Sequence, residues 1–129
     1  MIKQFLVFGC LGIVMEVFWT GFCGLLKGDK ELRGFTSIWM FPIYGSAVFF
    51  EPIYVSLKGF PVAVRGCVYM VLIFAAEYAS GFILEKTLGE CPWDYKDSKM
   101  NVYGLIRIDY APVWFIAGLL MESVFKIIM

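Results

Sequence analysis

The chain has no histidine among its 129 residues. That removes the side chain most often used as a general base and the commonest transition-metal ligand. Charge is scarce too: 17% of residues are Asp, Glu, Lys or Arg, where a soluble domain carries about a quarter. Neither sign dominates, because 11 basic residues balance 11 acidic ones, so nothing points to a nucleic-acid partner. The four cysteines, Cys10, Cys23, Cys67 and Cys91, form no C-x-x-C pair, which argues against a zinc or redox motif. Two bridges between cysteines at similar depth compete with four free thiols, and the free form is expected. The sequence contains no P-loop, no G-x-S-x-G and no Ser/His or Cys/His pair. Scarce charge together with 60% hydrophobic residues excludes a disordered chain, a secreted disulfide scaffold and an ordinary soluble enzyme.

What the chain does have is apolar surface. Hydrophobic residues make up 60% and aromatics 19%, and the mean hydropathy is +0.77. Four stretches reach the ~20 residues that a membrane helix needs: Phe5–Leu26, Ile38–Leu57, Pro61–Leu88 and Gly104–Met129. The expected fold is all-α, a polytopic four-transmembrane-helix bundle forming a single integral membrane domain over residues 1–129. The first stretch carries Glu16 and lacks a small-x-small cleavage site, so it reads as a retained helix rather than a signal peptide. An even number of spans puts both termini on one side. The other side holds loops 27–37 and 89–103, with Lys27, Lys30, Arg33, Lys86, Lys96, Lys99 and Arg107. The positive-inside rule favours that side as cytoplasmic.

The informative residues are acids within the spans. Charged side chains at bilayer depth are costly and tend to face a bundle interior, which makes them functional candidates. A rise of 1.5 Å per residue puts Glu16 near the midplane, Glu77 roughly 4 Å toward the loop side, Glu51 roughly 5 Å the other way and Glu122 roughly 9 Å that same way. Depth alone groups Glu51, Arg65 and Glu122 at one end, Glu16 and Glu77 centrally, and Glu85, Arg107 and Asp109 at the other end. These six span acids face two span arginines, so some are expected to be protonated, to bind a cation or to contact water. Helical spacing lines up Gly12, Glu16 and Thr20; Tyr44, Val48 and Glu51; Glu77, Gly81 and Glu85; and Arg107, Tyr110, Trp114, Gly118 and Glu122.

Plainer roles compete with each of these. Glu16, Glu51 and Glu77 also suit interhelical hydrogen bonding, and Arg65 suits snorkelling to headgroups. Trp39, Trp93, Tyr95 and Tyr103 fall where an aromatic belt belongs. Asp94, Asp97 and Asn101 offer hard oxygen ligands for calcium or magnesium, but an Asx-type turn accounts for them equally well, and no metal is assigned.

Four segments carry a family resemblance. GCLGIVMEVFWTG holds Glu16, and LRGFTSIWMFPIYG leads into Glu51. EYASGFILEKTLGECPWDY holds Glu77 and the run Trp93, Asp94, Tyr95; NVYGLIRIDYAPVWFIAGLLME ends at Glu122. In order and spacing, over almost the whole chain, they resemble the transmembrane protein 229 family, grouped with bacterial proteins labelled putative type IV ABC-transporter components. The resemblance implies a multi-pass helical membrane protein. It carries over Glu16, Glu51, Glu77, Trp93, Asp94, Tyr95, Asn101, Gly104, Trp114 and Glu122. If the chain works in an ABC system, the ATPase must be a separate polypeptide.

The leading expectation is channel- or transporter-type passage of a cation or small cationic solute through an acidic, aromatic-lined interior. Its substrate or ion site comprises Glu16, Glu51, Glu77, Glu122, Arg65, Tyr44 and Trp114, with Trp93, Asp94, Tyr95 and Asn101 as a loop motif. No cofactor and no catalytic residue are expected. One alternative is a membrane-embedded enzyme acting on a lipid, and another is a structural or accessory subunit of a membrane complex. The expected partners are the lipid bilayer, a separate ATPase or membrane protein, and a second copy of the chain. Gly24-x-x-x-Gly28 and the small-residue face around Ala79 and Gly81 are candidate dimer contacts.

Overall fold

A computed structural model describes residues 1–128. The chain is all-α, 71% helical, with four helices long and apolar enough to cross a membrane: Ile2–Leu26, Met40–Leu57, Val62–Leu88 and Ile108–Ile128. In each, 22% of the most apolar stretch is buried inside the protein. The large apolar side chains left outside, such as Phe18, Phe22, Val71 and Ile116, would be untenable in water and are at home in lipid. By its internal contacts the chain forms two compact units, Met1–Pro52 and Ile53–Met129.

In the first unit, α1 (Ile2–Leu26) is a proline-free run with apolar residues on every face, as expected of a helix surrounded by protein and lipid. It stops at Lys27, whose N–H bonds Gly24 O at 3.0 Å. Gly28 follows with φ +104°, a left-handed conformation that suits glycine. Gly24-x-x-x-Gly28 is therefore not a motif on one helix face, because the helix closes between its two glycines. The Thr20 hydroxyl ties the following loop back, accepting from Phe35 N at 2.8 Å and lying 3.0 Å from Phe35 O.

Next come α2 (Met40–Gly45), a 3-10 segment (Ser46–Phe50) and α3 (Glu51–Leu57). Pro52 explains the tightening between α2 and α3. It has no N–H to offer Val48 O, four residues back, and the Glu51 N–H takes that carbonyl in the i−3 pattern instead. Aromatic rings set into glycine gaps pack α1 on α2. A side chain at Gly9 would come within 2.8 Å of Phe41, one at Gly45 within 2.8 Å of Phe5, and one at Gly12 would overlap Tyr44. Phe5 and Phe41 meet edge to face at 6.0 Å.

In the second unit, α4 (Val62–Leu88) begins after Pro61 and ends at Gly89, which has φ +80° and donates to Glu85 O at 3.0 Å. α5 (Ala111–Ile128) carries Pro112 in its first turn, where a missing N–H costs nothing. The same packing device recurs: a side chain at Gly66 would overlap Phe115, and one at Gly118 would overlap Tyr69. Tyr54 stacks on Phe125 at 5.4 Å.

The helix expected from Gly104 onward starts later. Residues Asn101–Val102 (β1) and Ile106–Arg107 (β2) pair antiparallel, Asn101 with Arg107 and Val102 with Ile106. Tyr103 and Gly104 turn between them with φ of +53° and +70°. Left-handed residues in a three-residue connection make a hairpin there rather than the first turn of a helix. The four cysteines are free thiols.

Candidate functional site

Glu122 is the buried charged side chain of the described residues, at 5% exposure. Three groups converge on it. Arg65 Nε donates to Oε2 at 3.0 Å, the Tyr69 hydroxyl donates to the same oxygen at 2.7 Å, and Lys126 Nζ lies 3.5 Å from Oε1. Arg65 also donates to Phe60 O at 2.5 Å, tying the turn before α4 to the carboxylate. The spacing explains the convergence. Arg65 and Tyr69 are four apart on α4, Glu122 and Lys126 four apart on α5, and the Gly66 and Gly118 gaps bring those helices together. Arg65 is thus engaged rather than snorkelling. Tyr69 and Lys126 were absent from the expected set, although i+4 spacing from Arg65 and from Glu122 pointed to both.

In the first unit, Glu16 stands halfway along α1, partly buried. The hydroxyls of Tyr44 and Thr36 face its carboxyl. Its Oε2 is buried without a hydrogen bond. The ion pairs of this unit, Arg33 with Asp29 and Glu31, lie in the loop and leave Glu16 out. Seating Tyr44 beside Glu16 requires the Gly12 gap one turn earlier. Thr36 is a neighbour that no helical periodicity reveals, because it comes from the loop. Glu51 opens α3, partly buried, and Glu77 lies midway along α4, also partly buried.

Trp114 belongs to an aromatic chain along one side of α5. Tyr95 meets Tyr110 edge to face at 5.7 Å, and Tyr110 meets Trp114 at 6.2 Å. The Trp114 indole N–H is buried without an acceptor. Arg107 closes the chain, its guanidinium 4.3 Å from the centre of the Tyr110 ring. It also forks onto Asp109 at 3.1 and 2.6 Å, and that hydrogen-bonded carboxylate raises its already high pKa.

The loop motif is a built turn. Asp94 Oδ1 accepts from Lys96 N at 2.9 Å, an Asx turn. Asn101 donates to Ser98 O at 2.5 Å and accepts from Gly104 N at 2.9 Å. Trp93 donates its indole N–H to Leu105 O at 2.9 Å. Its ring fills the space beside Gly81, where a side chain would come within 2.9 Å of both Trp93 and Leu105. Among the described residues, no three His, Cys, Asp or Glu side chains are grouped to hold a metal. Cys91 packs beside the same glycine, and burial pushes its thiol pKa up.

Two kinds of carboxylate emerge. Glu122 has a fixed counter-charge, while Glu16 has hydroxyl neighbours and, within its unit, no ion pair. Residues 3–129 match the model of a family described as Putative ABC-transporter type IV. No solved structure matches the chain significantly.

Proposed function

The chain belongs to the Putative ABC-transporter type IV family and has four apolar helices, which support an integral membrane protein with a transport-related role; from that premise we propose that it works with other transporter components and passes a cation or small cationic solute along an acidic, aromatic-lined interior. The observation that carries this reading is Glu16. A carboxyl halfway along an apolar helix, with hydroxyls beside it and one oxygen buried without a partner, is poised to take a proton or a cation.

Tyr44 supplies a hydroxyl and an aromatic face to that site, and a cation gains from both. Glu51, in the same unit, extends the pathway in this proposal, and Glu77 and Trp114 are the residues assigned to the solute in the second unit. Glu122 and Arg65 neutralise each other and anchor α4 to α5 rather than carrying the solute. That cluster also favours a structural contribution from this end of the protein, as in an accessory subunit. The chain acts as a single membrane domain, with loops 27–37 and 89–103 facing the cytoplasm. These 129 residues contain no P-loop, and the proposal assigns any ATP hydrolysis to a partner component. A second copy of the chain is a further partner in this proposal.

The test is flux in liposomes containing the purified chain. Protons, potassium and tetramethylammonium are followed under pH gradients and potentials of both signs. Flux of at least one is expected, and Glu16→Gln should lower it about tenfold or more while Glu122→Gln changes stability first. No flux of any probe, or a Glu16→Gln variant that conducts like the parent, overturns the reading.

A further inference from the structure

A groove of about 570 Å³ lies in the second unit at the loop end of α4, lined by Tyr78, Phe82, Glu85, Lys86, Gly89 and Tyr103 among others. Tyr78, Phe82, Glu85 and Lys86 come from two successive turns of the helix. Tyr78 and Phe82 stack at 6.5 Å with their planes 12° apart. The Lys86 ammonium lies 5.5 Å from the centre of the Phe82 ring. Tyr103 closes the other side from the hairpin turn. It is 80% exposed and holds a left-handed backbone, φ +53°, that a tyrosine seldom adopts.

The charges here are unspent. Among the described residues neither Glu85 nor Lys86, its neighbour in sequence, enters an ion pair, and the Lys86 ammonium lies over an aromatic face. The groove thus offers one anion, one cation and several rings within reach of one another. A ligand with a single charge would satisfy one of these and leave the other opposed or idle. A ligand carrying both an ammonium and a phosphate satisfies all of them. The groove also sits where α4 ends at Gly89 and the polar loop begins, the depth at which an apolar helix meets lipid headgroups.

We propose that this groove binds the headgroup of a zwitterionic phospholipid, the ammonium against Glu85 and the faces of Tyr78 and Tyr103, the phosphate at Lys86, and the acyl chains along the apolar surface of α4. This is independent of the carboxylates assigned to transport, and the binding assay requires no flux.

The experiment is native mass spectrometry of the chain in mild detergent, titrated with phosphatidylcholine, phosphatidylglycerol and diacylglycerol. Phosphatidylcholine should be retained about tenfold better than either of the others. Glu85→Gln should erase the preference over phosphatidylglycerol, and Lys86→Gln and Tyr103→Ala should each weaken phosphatidylcholine retention several-fold. Glu90→Gln, outside the groove, should behave as the parent. Melting temperatures of each variant separate lost binding from lost folding, and none of these exposed substitutions should shift them greatly. Equal retention of the three lipids overturns the proposal, as does a preference for phosphatidylglycerol. So does a set of folded groove variants that bind like the parent. Displacement by soluble phosphocholine as effective as by the lipid would overturn the lipid assignment in favour of a small-molecule site.

Discussion

Arg65 Nε and Glu122 Oε2 meet at 3.0 Å across 57 residues of sequence, with side-chain exposures of 18% and 6%. Removing Arg65 leaves the buried Glu122 carboxylate with the Tyr69 hydroxyl and the exposed Lys126 alone. Arg65→Ala should therefore cost about 3 kcal/mol of unfolding free energy in mixed micelles. Replacing both residues with leucine should cost less than either single change. Singles that simply add in the double variant would show that the pair is not coupled.

Tyr69 shares Oε2 of Glu122 and also fills the Gly118 gap. Gly118→Ala would press a methyl group onto Tyr69 Cβ, an atom that no rotamer change can withdraw. A loss of about 1–3 kcal/mol is expected. Gly59→Ala is the matched control, since an added Cβ there meets nothing within 4 Å. Thermal unfolding of both variants decides the matter, and equal melting temperatures would remove the glycine–aromatic seat as the contact that fixes α4 against α5.

Asn101 holds its turn through Ser98 O and Gly104 N, and Trp93 holds it through Leu105 O. Asn101→Ala and Trp93→Phe should each loosen the loop by about 1 kcal/mol. Amide exchange across residues 95–107 should quicken in both while the helices stay protected. Unchanged exchange would mean that these bonds do not maintain the turn.

Cys91 gives a pH prediction. Burial raises its thiol pKa, and the carboxylates of Glu85, Glu77 and Asp94 push the same way. The thiolate is the reactive form, so a raised pKa means less of it at any given pH. In a variant with Cys10, Cys23 and Cys67 changed to serine, alkylation should be slow near neutrality. It should still be climbing above pH ~9, where a free thiol of pKa about 8.5 is levelling off. A curve that matches free cysteine would place the thiol in water.

Much of the fold was open to inspection in the sequence, because lipid leaves so few solutions. Apolar runs of about 20 residues in a chain this poor in charge read as membrane helices. Depth arithmetic put Arg65 and Glu122 at the same end, and Arg107 with Asp109 at the other; both pairs form ion bridges. Tyr69 was harder to find, since a tyrosine in an apolar run looks like packing until its acceptor is known. Thr36 was hidden for a different reason: its approach to Glu16 depends on a loop path, and loops have no period to read. The second half of the hairpin, from Gly104 to Arg107, reads as the start of a helix in the sequence because Leu105, Ile106 and Ile108 continue the apolar run. The left-handed Tyr103–Gly104 pair, which breaks the run, is a backbone property that hydropathy does not register.

The 3-10 stretch at Ser46–Phe50 changes how its flanks are oriented. An α-helix turns about 100° per residue and a 3-10 helix about 120°, so five residues of the tighter form add about 100° of rotation. On an unbroken α-helix Tyr44 and Glu51 would point along the same meridian, like two ligands on one pole. With ideal values for both forms, Glu51 is turned about a quarter of a circle from Tyr44 in azimuth. A cation handed from one to the other would then follow a curved path around the helix rather than a straight line along it.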